Sequence, residues 1–266
     1  MSETRPDARP ETMSETMPEA RPETTTVAAS AQPPLIVDRL SARMGDFQLH
    51  DISFNIEPGQ VTALLGHNGA GKTTTLRLIM GIVRKDSGDV RLGGLDHMRD
   101  EKEFKQRIGF VQEESFFYNG MTITEFCDFV APFYCDWNKE LTLQLMRTLD
   151  LPGDNKLGQL SKGMRTKVSL VIALSHEPKV LLLDEPTSGL DPRARVDILK
   201  LLQKVAHEDG TAVLFSTHNL YEVDQIADRV IIVDRGRVLA NESLGALRHK
   251  NGAAWNLEHY YLERVQ

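Results

Sequence analysis

An α/β fold built on a mixed, largely parallel sheet is predicted by three features of this 266-residue chain. A continuous apolar run, Val61 to Leu65, meets a glycine-rich loop that opens a helical pattern at Leu76, Ile79 and Met80. Apolar strands and amphipathic helices then alternate from Ser161 to Ala240, the order that builds parallel sheets. An antiparallel β element precedes the loop, and a long aromatic stretch with helical spacing is inserted after it.

The elements follow in order along the chain. Residues 2–13 (SETRPDARPETM) and 14–25 (SETMPEARPETT) are a near-duplicate pair, charged and Pro-rich with almost nothing to bury. A tail of residues 1–33 is therefore expected to be disordered, and the folded domain to span 34–245. From Asp51 to Glu57 the residues Ile52, Phe54 and Ile56 alternate with polar ones, the period of a half-buried strand, before Pro58-Gly59 turns the chain. The stretch from about 113 to 175 reads as an inserted α-helical subdomain. It carries Leu141, Leu145 and Leu149 at helical spacing, then Met164, Val168, Val171 and Ile172 on one face. Val180 to Leu183 reads as a buried strand, and Asp191-Pro192 as a helix start with its cap and its first-turn proline. Strands follow at Ala212 to Phe215, Val230 to Val233 and Val238 to Ala240, with a helix through Leu220, Val223, Ile226 and Ala227. Residues 246–266 read as a C-terminal helical extension.

Composition narrows the function classes. A net charge of −7 disfavours a nucleic-acid partner, because phosphate backbones demand clustered Lys and Arg. No apolar run approaches the roughly 18 to 20 residues that a membrane-spanning helix needs, and the N-terminus lacks the apolar centre of a secretory signal. A cytoplasmic protein is expected, with any membrane role borrowed from a partner. Cys127 and Cys135 lack the paired spacing of a zinc or redox motif.

The chemistry sits in short motifs. Gly66-His67-Asn68-Gly69-Ala70-Gly71-Lys72-Thr73 fits GxxxxGK[ST] at every fixed position, with Thr74 beside it. Such a loop wraps backbone N–H groups round a phosphate at a helix N-terminus, Lys72 reaches the β and γ phosphates, and Thr73 offers a hydroxyl to Mg²⁺. Asp184-Glu185 closes a buried strand, where ligands collect in open α/β sheets. Asp184 can hold the metal through water, and Glu185 can orient or deprotonate the attacking water. His218 ends a strand and can contact the γ phosphate; Gln112 can lend the metal a neutral oxygen. ATP and Mg²⁺ are the expected cofactors, in a P-loop NTPase fold.

The order of these motifs resembles the ABC ATPase family over residues 35 to about 240: the phosphate loop, Gln112, Leu160-Ser161-Lys162-Gly163-Met164, Asp184-Glu185, Ser188-Gly189-Leu190-Asp191 and His218. The resemblance implies a head-to-tail dimer, homo- or heteromeric, in which Ser161 and Gly163 of one chain bind the γ phosphate held by the other. It brings Asp191 into the nucleotide site as well. It further implies a separate integral membrane permease, with this chain peripheral on the cytoplasmic face. The usual LSGGQ signature is here LSKGM. That form, the Phe133-Tyr134-Cys135-Asp136-Trp137 stretch and the closing Leu257-Glu258-His259-Tyr260-Tyr261-Leu262 resemble ATP-binding subunits of ABC-2 type exporters. The family's adenine-stacking aromatic falls on Met44 or Phe47. Two rival readings are a soluble ABC-type ATPase that moves no solute and a binding-only subunit whose partner hydrolyses ATP.

Overall fold

The computed structural model describes residues 35–114, 116–252 and 255–265; the duplicated tail lies outside them. The chain enters through β1 (Leu35–Met44) and β2 (Phe47–Ile56), an antiparallel hairpin turning at Gly45. Its register slips on both sides of Leu40, with Arg39 at a φ of 46°. That irregularity breaks the two-residue period of Leu35, Val37, Leu40 and Ala42, so only part of the second strand is legible as a strand in the sequence. Strand β3 (Val61–Leu65) leads through the glycine loop into α1 (Lys72–Ile79). Strands β4 (Ser87–Leu92) and β5 (Leu95–Asp96) complete a four-stranded sheet in the order β2-β1-β4-β5.

A short α2 (Glu101–Gln106) leads into β6 (Ile108–Val111). The insertion follows as α3 (Ile123–Val130), α4 (Lys139–Thr148) and α5 (Lys162–Leu174), each started by a side chain that satisfies an otherwise free backbone N–H. Thr122 and Glu125 form a reciprocal capping box on α3, Asn138 caps α4, and Ser161 caps α5 by accepting from the Met164 N–H at 3.3 Å. The first ten residues expected in this helical subdomain, 113–122, precede its first helix. Cys127 and Cys135 are both free thiols, and burial pushes the Cys127 thiol up to about 11.

The second half alternates β7 (Val180–Asp184), α6 (Pro192–His207), β8 (Ala212–Thr217), α7 (Leu220–Ile226), β9 (Arg229–Asp234) and β10 (Arg237–Ser243). It ends in α8 (Leu244–Asn251) and α9 (Leu257–Leu262). The main sheet runs β10-β9-β3-β8-β7-β6, parallel throughout except for the antiparallel pairing of β10 with β9.

Its central strands are buried on both faces, and their alternation divides the apolar interior in two. Val61, Ala63, Leu65, Leu181, Leu183, Val213 and Phe215 face a core shared with α3, α4, α5, α6 and the C-terminal helices. Leu64, Val180, Leu182, Ala212, Leu214 and Ile231 face the opposite core, shared with α1 and the antiparallel sheet. The sheet is thereby clamped from both sides. Its carboxyl edge, where β3, β7 and β8 end side by side, is the rigid platform on which the site stands.

Candidate functional site

Parallel register assembles the site. Leu65 lies opposite Thr217 and Asp184 opposite Ser216, so the glycine loop, the Asp184-Glu185 pair and His218 leave adjacent strands at the same level. Two glycines in the loop are required sterically. A Cβ on Gly66 would sit 2.4 Å from the Val233 carbonyl oxygen. Gly71 has a φ of 112°, and a Cβ there would approach the Phe47 ring at 2.9 Å. Gly71 also starts α1 without a capping side chain, which leaves the first-turn N–H groups free for an anion.

Lys72 is buried, and its Nζ donates to the carbonyls of Gly66 at 2.8 Å and His67 at 3.2 Å. It also forms an ion pair with Glu185 Oε1 at 3.1 Å. The lysine charge is thus folded under the loop it serves. Thr73 Oγ1 donates to Asp184 Oδ1 at 2.9 Å, and Ser216 Oγ donates to the same oxygen at 2.8 Å. Ser216 in turn accepts from the Glu185 backbone N–H at 2.9 Å, so one hydroxyl holds the Asp184 carboxylate and the Glu185 backbone together. Glu185 adopts a φ of 47°, a left-handed conformation uncommon for a residue with a side chain. That turn carries its carboxylate towards His218, whose Nδ1 lies 3.0 Å from Oε2.

A cavity of about 490 Å³ opens above these groups. Gly69, Lys72, Thr73, Thr74, Glu185 and His218 line it. Met44 and Phe47 line it too, so both candidates for base stacking belong to the same cavity. Glu113 and Ser188 also line it, joined by a hydrogen bond from Ser188 Oγ to Glu113 Oε1 at 3.1 Å.

Several sequence candidates lie elsewhere. Gln112 is exposed and outside the lining, while its neighbour Glu113 is inside. Ser161 is exposed and Gly163 half-buried at the start of α5, neither in this cavity. Asp191 caps α6, accepting from the N–H groups of Arg193 and Ala194 at 3.0 Å each; those donors hold its carboxyl below the usual range. His67, though in the loop, turns sideways: Nε2 meets Asp234 Oδ1 at 2.6 Å and Nδ1 meets the Asn68 carbonyl at 2.7 Å. Ser216 and Asp234 carried no motif signal, because their roles arise from strand pairing. Glu113 was within reach of the sequence reading, being adjacent to Gln112.

A buried lysine and free helix N–H groups below, with two carboxylates and a histidine beside them, define a phosphate-loop nucleotide hydrolase. Comparison with known proteins gives the narrower class. The ABC transporter family model matches residues 49–188, more than half of the chain. An uncharacterized ABC transporter ATP-binding protein of Bacillus subtilis, YdbJ, is 36% identical over 217 residues, 80% of this chain and 70% of its own length. The B. subtilis ABC transporter ATP-binding protein NatA is 32% identical over 223 residues, 82% of this chain and 90% of its own. The bacitracin transport ATP-binding protein BcrA of Bacillus licheniformis is 32% identical over 202 residues, 75% of this chain but 66% of its own. A solved ATP-binding subunit of an ABC transporter superposes with a TM-score of 0.79 at 28% identity, covering 88% of this chain and all of that one. The ATP-binding cassette MJ0796, solved as a post-hydrolysis dimer with ADP and Pi, gives 0.70 at 25% identity over 79% of this chain and 98% of that one. The chain belongs to the ABC transporter family, as an ATP-binding and ATP-hydrolysing subunit.

Proposed function

We propose that this chain drives a separate membrane permease by ATP-dependent closure of a dimer, at the cytoplasmic face of the membrane. The observation that carries the reading is the split of its phosphate-binding groups. Lys72, Thr73, Glu185 and His218 share one cavity, while the Ser161-Lys162-Gly163 turn lies outside that cavity, on the surface at the N-terminus of a second helix. A γ phosphate on the first set supplies the anion that a helix N-terminus of a second chain attracts. Triphosphate thus favours the closed pair by contacts that the diphosphate cannot make, which is what a two-state engine requires.

Within the site, Lys72 and the first-turn N–H groups bind phosphate, and Glu185 holds or takes the proton of the attacking water, with His218 fixing its carboxylate. Thr73, which lines the cavity, and Asp184 behind it are hard oxygen donors 2.9 Å apart, and they suit Mg²⁺, which binds through one or two protein oxygens together with phosphates. When bound, that ion would supply positive charge to neutralise the nucleotide's phosphates.

Among the described residues no helix is long and apolar enough to cross a membrane. The permease is inferred from a surface feature: the helical subdomain exposes a run of aromatics, with Phe116 89% exposed, Phe133 66% and Tyr118 60%. Tyr118, Phe129 and Phe133 touch ring to ring at 5.6 and 5.9 Å, an apolar surface suited to burial against a partner. The names of the relatives support transport of a solute without giving its direction, and the LSKGM signature's resemblance to ABC-2 type exporters favours export. The test is Glu185→Gln, which should hold ATP and accumulate as a dimer in solution scattering while phosphate release ceases. Normal turnover, or a variant that stays monomeric with ATP, would overturn the reading.

A further inference from the structure

Glu222, on α7, is 2% exposed and lies outside the nucleotide cavity. Its Oε1 accepts from Thr187 Oγ1 at 2.8 Å and from Asn219 Nδ2 at 3.2 Å, and its Oε2 accepts from Thr217 Oγ1 at 2.8 Å. Arg195 Nε, on α6, stands 3.6 Å from Oε1. Taking a carboxylate out of water costs several kcal/mol, and a well-packed apolar side chain would often serve stability equally well. The charge is explained better by what it joins than by what it stabilises.

What it joins are the two segments that carry the hydrolytic pair. Thr187 is two residues beyond Glu185, in the turn where the Ser188 N–H donates to the Glu185 carbonyl at 3.0 Å. Thr217 directly precedes His218, and its hydroxyl also accepts from the Asn219 N–H at 3.0 Å. Both hydroxyls converge on one buried anion, so the carboxylate acts as a rigid spacer behind the 3.0 Å contact between Glu185 and His218. Arg195 ties in the helix that Asp191 caps, and with it the turn from Ser188 to Asp191. No other described side chain bridges these segments with both carboxylate oxygens engaged.

We propose that Glu222 is a positioning residue for ATP hydrolysis, holding Glu185 and His218 at the separation that water activation needs, without touching nucleotide itself. The proposal rests on the reading of Glu185 and His218 as the hydrolytic pair. Misplacing such a pair by about an ångström is enough to cost on the order of a hundredfold in rate. Phosphate binding, which depends on the α1 N-terminus and Lys72, stands on separate strands and should be spared.

The experiment measures steady-state ATPase, ATP affinity and thermal melting of the full chain carrying Glu222→Gln, Glu222→Leu, or Thr187→Val with Thr217→Val, beside Glu185→Gln as reference. The expected result is a kcat lowered about tenfold or more in all three, with the ATP KM within about twofold of the parent and cooperative melting retained. Parental kcat in the Glu222 variants, with Glu185→Gln inactive, would overturn the proposal while leaving the hydrolytic assignment in place. Loss of activity only in proportion to loss of folded protein, with KM unchanged, would also overturn it by reducing Glu222 to a structural role; Glu222→Gln, which keeps the side chain's shape and removes the buried charge, guards against misfolding alone. Parental turnover by Glu185→Gln would instead overturn the hydrolytic reading beneath it.

Discussion

Phe47 places its ring against the edge of the phosphate loop, where a Cβ on Gly71 would meet it, and lines the cavity beside Met44. An aromatic face in the same cavity as Lys72 can stack on a base, and base–aromatic stacking is worth about 1–3 kcal/mol by alanine substitution. Phe47→Ala is therefore expected to weaken ATP binding by that amount, read by calorimetry, and to weaken GTP equally because stacking ignores base edges. Met44→Ala should have a smaller effect, since a thioether offers no comparable π face. A second residue-scale device is the pair of His67 and Asp234, which anchors the flank of the loop to the end of β9. The altered signature turn also looks simpler at this scale. Lys162 reaches back towards its own chain, its Nζ standing 3.3 Å from where a Cβ on Gly189 would be.

At the scale of elements, the helical subdomain shows how local chemistry sets boundaries. Thr122 closes a reciprocal box with Glu125, at 3.1 Å from the Glu125 N–H and 2.8 Å back to its own N–H. Thr122→Ala should cost about 1 kcal/mol of stability in urea unfolding while leaving ATP affinity unchanged, because α3 does not line the site. Elements with one strong, unbroken signal were legible in the sequence: β3, β7 and β9 as apolar runs, and α6 from Asp191-Pro192. Elements whose period is interrupted were not, β1 by its bulge and β6 by being four residues long. The site divides in the same way. The phosphate loop and Asp184-Glu185 announce themselves because their spacing is local. Ser216 and Asp234 are fixed by pairings across 32 and 167 residues, and Glu222 joins its own turn to Thr187, 35 residues away, links that no local pattern encodes.

For the whole molecule, two separate cores hold one sheet from opposite faces, while the helical subdomain extends from the first of them with its aromatics outward. That division of labour predicts independence of chemistry and coupling. Phe116→Ser should leave the ATPase rate of the purified chain near its parent value, yet sharply reduce its recovery with a membrane permease from detergent extracts. Equal recovery would place the docking surface elsewhere. The left-handed turn at Glu185 has a different reach. Holding a residue with a side chain in that region costs of order 1–3 kcal/mol, a debt that glycine or asparagine at the same position would partly cancel. A library screened only for survival at high temperature would therefore drift towards robust but idle proteins at this very codon, and any campaign to harden the molecule must count turnovers alongside melting points.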